Sequence, residues 1–251
     1  MLAESLILER IGALFPEDSV LAEESRTRLP DGWVTGLHEG RVWLVDPLDG
    51  TVNYAHGVPF FCTSIALIVH GLPVVGVVYD PLRNELFSAR RGEGAWLGKT
   101  ALRVSASRQL RDCLVAVEAP ERGASRPLAR LRRTVRSVRE TGSAALALAY
   151  MAGGRFDAFW EPIGLAPWDI GAAGLIAMEA GANVTHPRGL PWLDLAHPRR
   201  HSLGLLAAAP ARHGDLAALL AGRPSLAGDR KSFFVTTAQA ATSEVLPPSA
   251  R

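Results

Sequence analysis

Val45-Asp46-Pro47-Leu48-Asp49-Gly50-Thr51-Val52-Asn53 is the stretch on which the reading of this chain turns. The residues that lead into it, Arg41–Val45 (RVWLV), have the apolar and aromatic content of a strand, so the motif begins where a strand is expected to end. Pro47 has no N–H and disfavours a helical conformation in the residue before it. It is expected to hold Asp46 extended and to stop the ladder there. Gly50 carries no side chain that could obstruct a ligand. Thr51 to Asn53 suits the start of a helix, whose free N–H groups can receive an anion. The plain reading makes Asp49 a helix cap and Asp46 a turn residue. The chemical reading makes them a pair of ligating carboxylates.

Two further acidic segments favour the chemical reading. Leu21-Ala22-Glu23-Glu24-Ser25 places carboxylates at the end of a short extended run. Much later, Pro167-Trp168-Asp169 opens a helix whose next turns carry Gly171, Ala172, Ala173 and Gly174, small residues that let it pack closely on a neighbour. If Glu23, Asp46, Asp49 and Asp169 converge, each like-charge pair near 4 Å costs about 4 kcal/mol at an effective dielectric of ~20. Protons or cations must neutralise such a cluster. Hard oxygen donors without His or Cys select Mg²⁺, Mn²⁺ or Ca²⁺. Two such ions can clamp a phosphoryl group and acidify a water.

The rest of the chain reads as alternating strands and helices. Residues 2–15 space their apolar side chains along one helical face, and 19–22 is short and extended. Residues 26–40 are polar and Gly-rich, a loop or hairpin. Strands are expected at 61–69, 74–79 and 85–89, joined at His70-Gly71 and across 80–84 as an antiparallel meander. Further strands are expected at 113–117, 156–160 and 203–208, and helices at 142–152, 169–180 (closed by Gly181) and 213–220. The basic stretch Arg122–Arg139 reads as a solvated helix followed by an edge strand, since it lacks the interleaved aromatics of a nucleic-acid surface. Residues 91–100 hold glycines and a lysine, but Glu93 stands where a phosphate loop needs glycine, so a hairpin turn is expected. From 223 to 251 the composition turns to Ser, Pro, Ala and Gly, which reads as a flexible tail.

Bulk properties bound the answer. A 251-residue chain with 48% hydrophobic and 21% charged residues is that of a globular enzyme. No apolar run approaches the ~20 residues of a membrane span. The two cysteines, Cys62 and Cys113, lie in strand-like runs and read as buried reduced thiols of a cytoplasmic protein. The seven histidines show no HExxH spacing.

At its acidic motifs the sequence resembles the inositol monophosphatase family. The matching pieces are EES at 23–25, DPLDGTVNY at 46–54 and WDIGAAGLIAMEAG at 168–181, with GVVYDPLRNELFSARRGEGAWLG at 76–98 and RETGSAA at 139–145 between them. The resemblance implies an αβαβα sandwich with two sheets, one catalytic unit over 1–222 whose first layer spans 1–110 and second 111–222. It implies a Mg²⁺-dependent phosphatase of inositol monophosphate or a similar small sugar phosphate, with two or three ions and Mn²⁺ as a possible substitute. It further implies a homodimer, lithium inhibition, and neither membrane nor nucleic acid as partner. Carried over by position, Glu23, Asp46 and the Leu48 carbonyl would hold one ion, and Asp46, Asp49 and Asp169 a second. Glu23 and Thr51 would place the attacking water. The Gly50 and Thr51 amides would grip phosphate. Asp49, Gly142, Ser143, Ala144, Glu161 and Asp169 would meet the sugar hydroxyls.

Two departures qualify the match. The sequence starts after the family's additional N-terminal helix and mobile loop, which carry an acid near the third-metal position, so the chain reads as an N-terminally truncated member. Pro162-Ile163-Gly164 puts Glu161 one residue further from Asp169 than the family pattern expects. Histidinol phosphate, fructose bisphosphate and nucleotide 3′-phosphate are rival substrates. A non-catalytic member that binds RNA or protein through 122–139 is the reading from another class.

Overall fold

The computed structural model describes residues 2–24, 40–105, 109–118, 126–187, 190–193, 195 and 203–223. The expected loop at 26–39, the tail from 224, and His38, His197 and His201 lie outside the described residues. No helix among the described residues is long and apolar enough to cross a membrane.

The first half of the chain builds one sheet. After helix α1 (Leu2–Leu14) come β1 (Ser19–Ala22), β2 (Arg41–Asp49), the short helix α2 (Thr51–Ala55), β3 (Cys62–Val69), β4 (Leu72–Asp80), β5 (Glu85–Arg90), β6 (Gly94–Leu97) and β7 (Thr100–Ala101). These seven strands lie in sequence order, with β1 parallel to β2 and every later pair antiparallel. The expected meander is present. Its first turn is two residues long, with His70 at φ 49° and Gly71 at φ 75°, the primed geometry whose twist matches the flanking strands. Along β3, Cys62, Ser64, Ala66 and Ile68 are buried while the intervening residues are partly exposed, the period of a sheet packed more heavily on one face.

The second half builds a mixed sheet from β8 (Leu114–Val117), β9 (Ser137–Glu140), β10 (Ala158–Leu165), β11 (Asn183–Thr185) and β12 (Leu203–Ala208), ordered β11-β12-β10-β8-β9. Its helices are α3 (Arg126–Thr134), α4 (Ala144–Ala152), α5 (Pro167–Glu179) and α6 (Pro210–Ala221). The described part of the basic stretch is a helix followed by a strand at the sheet's edge, as its composition predicts. β12 is buried at all six positions, because helices cover both faces of this sheet.

Helices α4 and α5 lie between the two sheets. All nine residues of α4 (AALALAYMA) are buried, and its alanines allow close approach on every side. Helix α5 meets the first sheet almost backbone to backbone: a Cβ on Gly76 would stand 2.7 Å from the Ala172 carbonyl oxygen, and one on Gly171 2.6 Å from Leu44. The small residues expected to permit this packing do so. Helix α1 covers the outer face of the first sheet through Ile7, Ile11, Trp43 and Ile65. Helices α3 and α6 cover the outer face of the second through Leu128, Leu131, Leu216 and Leu220. The order is helix, sheet, helices, sheet, helices, the αβαβα arrangement.

Two local expectations need correction. The strand at Arg41 does not stop at Asp46. Strand β2 runs on to Asp49, and its pairing with β3 slips between Asp46↔Ser64 and Asp49↔Cys62. The lost donor of Pro47 is absorbed by this irregularity rather than by chain termination. Strand β10 likewise runs beyond Trp160 to Leu165, and Pro162-Ile163-Gly164 sits in a bulge between Glu161↔Leu205 and Leu165↔Leu203. Gly50 has a structural reason of its own. It adopts φ +89°, and a Cβ there would lie 3.0 Å from the Phe60 carbonyl oxygen and 3.2 Å from that of Gly142.

Candidate active site

Strand register brings the first two acids together. Because β1 runs parallel to β2 with Ala22 opposite Val45, the next residue, Glu23, comes alongside Asp46, and its N–H donates to the Val45 carbonyl (3.1 Å). The opposite neighbour of Asp46 is Ser64. The Ser64 hydroxyl donates to the carbonyl of Trp168 (3.2 Å), which ties the strand to the start of α5 and so delivers Asp169. Glu23, Asp46, Asp49 and Asp169 thus lie near one another at the end of the first sheet, close enough for their charges to act on Asp46.

Three of these carboxylates, Asp46, Asp49 and Asp169, are held by nearby donors. Asp46 is 1% exposed and accepts from the Leu48 N–H (2.9 Å). Asp49 does not cap the helix that follows it. It reaches across to the N-terminus of α4, where its Oδ2 accepts from the Ser143 hydroxyl (2.6 Å) and the Ala145 N–H (2.7 Å). The Cys62 thiol lies 3.8 Å from the same oxygen. Asp169 accepts the Ala166 N–H (2.7 Å), so it caps its own helix and faces the cluster at once.

The electrostatics follow from burial and crowding. Burial, then the charges of Asp49, Glu23 and Asp169, push the Asp46 carboxyl up to about 10. Asp49 is raised chiefly by burial, against the lowering pull of its Ser143 and Ala145 donors. Asp169 is raised by burial and then by Asp49. Among the described residues, no arginine or lysine figures in the main influences on these three groups.

Of the residues predicted to meet a sugar, Gly142, Ser143 and Ala144 form the entry to α4 beside Asp49, and the Ser143 hydroxyl is spent on that carboxylate. Glu161 is buried (1% exposed), and its Oε1 accepts the Ile163 N–H (3.2 Å) while its Oε2 is buried without a hydrogen-bond partner among the described residues. Burial pushes it up to about 8, and the acid acting on it is Glu118. Glu118 escaped the sequence reading. It follows the strand Leu114–Val117 just as Asp46 follows Arg41–Val45, and an acid directly after an apolar strand run is the signal that points to it. Burial raises it, and it feels Asp49. Thr51 opens α2 and is exposed.

The donor set suits a hard divalent cation. It consists of carboxylates, and one oxygen of each of Asp49 and Asp169 is oriented by a backbone amide. In the conformations seen, no three His, Cys, Asp or Glu side chains among the described residues close on one point tightly enough to enclose an ion. The acids adjoin without converging completely.

The fold agrees with what comparison with known proteins finds. The model of the inositol monophosphatase family matches residues 1–223. An inositol monophosphatase 2 of Solanum lycopersicum is 42% identical over 196 residues, covering 74% of this chain and 72% of its own. A Nus factor SuhB of Escherichia coli (strain K12) is 41% identical over 189 residues, covering 73% and 68%. The solved inositol monophosphatase from Anabaena (Nostoc) sp. PCC 7120 superposes with a TM-score of 0.76 at 36% identity, covering 89% of this chain and 86% of that one. The protein therefore belongs to the inositol monophosphatase family, and it is a phosphatase of that superfamily.

Proposed function

We propose that the protein hydrolyses inositol monophosphate or a similar small sugar monophosphate in a Mg²⁺-dependent reaction, with residues 1–222 acting as one catalytic unit. One observation carries this reading: carboxylates from three separate segments crowd a buried aspartate, and burial together with their charges pushes its carboxyl up to about 10. Glu23, Asp46 and the Leu48 carbonyl would hold one ion, and Asp46, Asp49 and Asp169 another, with Mn²⁺ an acceptable substitute. When bound, such ions supply positive charge for the phosphoryl oxygens and lower the pKa of a water.

The chain's own groups do the rest. The Gly50 and Thr51 N–H groups, at the cap and first turn of α2, would bind phosphate oxygens. Glu23 and Thr51 orient the attacking water, Glu23 as the acceptor for its proton. Asp49, Asp169, Glu161 and the Gly142-Ser143-Ala144 entry of α4 line the side where sugar hydroxyls bind. A carboxyl such as Glu161, with a buried oxygen lacking any partner among the described residues, is a natural acceptor for a hydroxyl. The buried cysteines Cys62 and Cys113 are in keeping with the reducing cytoplasm, and the family points to a homodimer.

The test is phosphate release from inositol 1-phosphate, with Mg²⁺ and with chelator, by the parent and by Asp46→Asn. The reading requires Mg²⁺-dependent release that the variant loses. Release by the variant at the parental rate would remove Asp46 from the site. A panel including histidinol phosphate, fructose 1,6-bisphosphate and a nucleotide 3′-phosphate ranks the substrates. Turnover of none of them, with salt-dependent RNA binding instead, would favour the non-catalytic alternative.

A further inference from the structure

We propose that Glu118 is a positioning residue: it fastens the Thr141-Gly142 turn from the second sheet, and through that turn sets the α4 N-terminus that orients Asp49. The argument starts from the turn. Gly142 sits at φ +76°, and a Cβ there would lie 2.8 Å from both polar atoms of the Asn53 amide, so the backbone passes hard against α2. Asn53 holds the turn from that side, its Nδ2 donating to the Phe60 (2.7 Å) and Thr141 (2.8 Å) carbonyls.

Glu118 holds the same two residues from the other side. Its Oε1 accepts from the Thr141 N–H (3.2 Å), the Thr141 hydroxyl and the Gly142 N–H (3.0 Å), and its Oε2 shares the Gly142 N–H (3.0 Å). Three donors on one carboxylate is a dense arrangement for a group just past the end of β8. Each bond to a charged acceptor is stronger than a neutral one. Immediately after the clamped turn come the Ser143 hydroxyl and the Ala145 N–H, the two donors that fix Asp49 Oδ2. The chain therefore runs from a carboxylate of the second sheet, through two residues, to the carboxylate that ends β2. Among the described residues the hydrogen bonds of Glu118 go to Thr141 and Gly142, and its link to Asp49 and Glu161 is through charge rather than a hydrogen bond. Its contribution is the placement of Asp49, in the way that outer-shell partners of a ligand set its orientation.

The metal half of this inference rests on the proposed function, so the experiment has a readout that does not. In the metal-free protein, amide hydrogen exchange is measured at Gly142, Ala145 and, as a distant control, Val77 in β4. Parent, Glu118→Ala, Glu118→Gln and Thr141→Val are compared, each also titrated with Mg²⁺ by calorimetry. Glu118→Ala should speed exchange at Gly142 and also at Ala145, leave Val77 unchanged, and weaken Mg²⁺ binding on the order of tenfold. Glu118→Gln keeps one carbonyl acceptor and should recover most of both effects. Thr141→Val removes only the hydroxyl bond and should give a small change in the same direction.

If Glu118→Ala exchanges faster at Gly142 alone, with Ala145 and Mg²⁺ affinity at parental values, the inference is overturned, whatever happens to the melting temperature. If Glu118→Ala fails to fold, Glu118→Gln and Thr141→Val decide by the same two readouts. A parent that takes up no Mg²⁺ removes the metal reading, and the Ala145 amide still settles the clamp. A parent that binds Mg²⁺ but turns over no phosphate ester removes the proposed activity and leaves the clamp standing on its own data.

Discussion

Replacing Asp46 by Asn should make the metal-free protein more stable while it abolishes function, and the gain should grow with pH. Asp46 is 1% exposed and its carboxyl is pushed from 3.8 up to about 10, by burial first and then by Asp49, Glu23 and Asp169. A folded-state pKa above the unfolded one means that stability is full below pH ~4 and is lost as pH rises toward the folded value. Between those limits the folded carboxyl keeps a proton that the unfolded chain releases, and each pH unit above 3.8 costs about 1.4 kcal/mol. The ceiling is about 3 kcal/mol at pH 6 and about 6 kcal/mol at pH 8. The neighbouring acids share the titration, so roughly half of each is the expected gain. Asn keeps the shape of Asp and an oxygen that accepts the Leu48 N–H, and it has no proton to lose. Urea unfolding in chelator at pH 6 and pH 8 measures the difference. At about 3 °C per kcal/mol for a chain of this size, thermal melts should separate by roughly 4 °C and 9 °C. Adding Mg²⁺ should stabilise the parent and leave the variant unmoved. A variant no more stable than the parent in chelator at either pH would show that the carboxylates do not crowd one another, and the argument for the site would fail with it.

Three other outcomes follow from single contacts. Ser143→Ala removes the 2.6 Å bond to Asp49. It should cost about 1.5–3 kcal/mol in urea unfolding, and it should weaken Mg²⁺ binding at least tenfold by calorimetry. Gly76→Ala drives a Cβ to 2.7 Å from the Ala172 carbonyl oxygen and should cost about 1–3 kcal/mol. Gly12→Ala on α1, where nothing lies within 4 Å, should be neutral or stabilising by up to ~1 kcal/mol, and equal melting temperatures for the two variants would refute the packing argument. Glu161 is raised to about 8, so Glu161→Gln should gain stability over the parent as pH rises from 6 to 8, by at most about 1.4 kcal/mol per unit. A pH-independent difference would place Glu161 in water.

The motif at 46–53 was legible because its chemistry is local: a proline, a glycine and two acids in eight residues allow few conformations. Where the strand ended was not legible. Pro47 removes one donor, but the pairing of Asp49 with Cys62 restores the ladder beyond it, and that partner belongs to another strand. The same limit explains Asp49 itself. Sequence spacing offers it a helix two residues away, whereas its oxygen goes to amides and a hydroxyl almost a hundred residues on. Glu118 was missed because one acid after a strand carries little weight alone, and its three donors come from a turn that the sequence marks only by Gly142.

The sequence by itself determined the alternation of strands and helices, the small-residue face of α5 and the identity of the acids, because these rest on side-chain period, size and charge within a few residues. Which acids become neighbours was settled by the tertiary fold. Parallel pairing of β1 with β2 sets Glu23 beside Asp46, the Ser64 bond to Trp168 brings in Asp169, and the α4 N-terminus turns Asp49. Each depends on register between segments far apart in the chain, where a shift of one residue would send a carboxylate to the opposite face of the sheet.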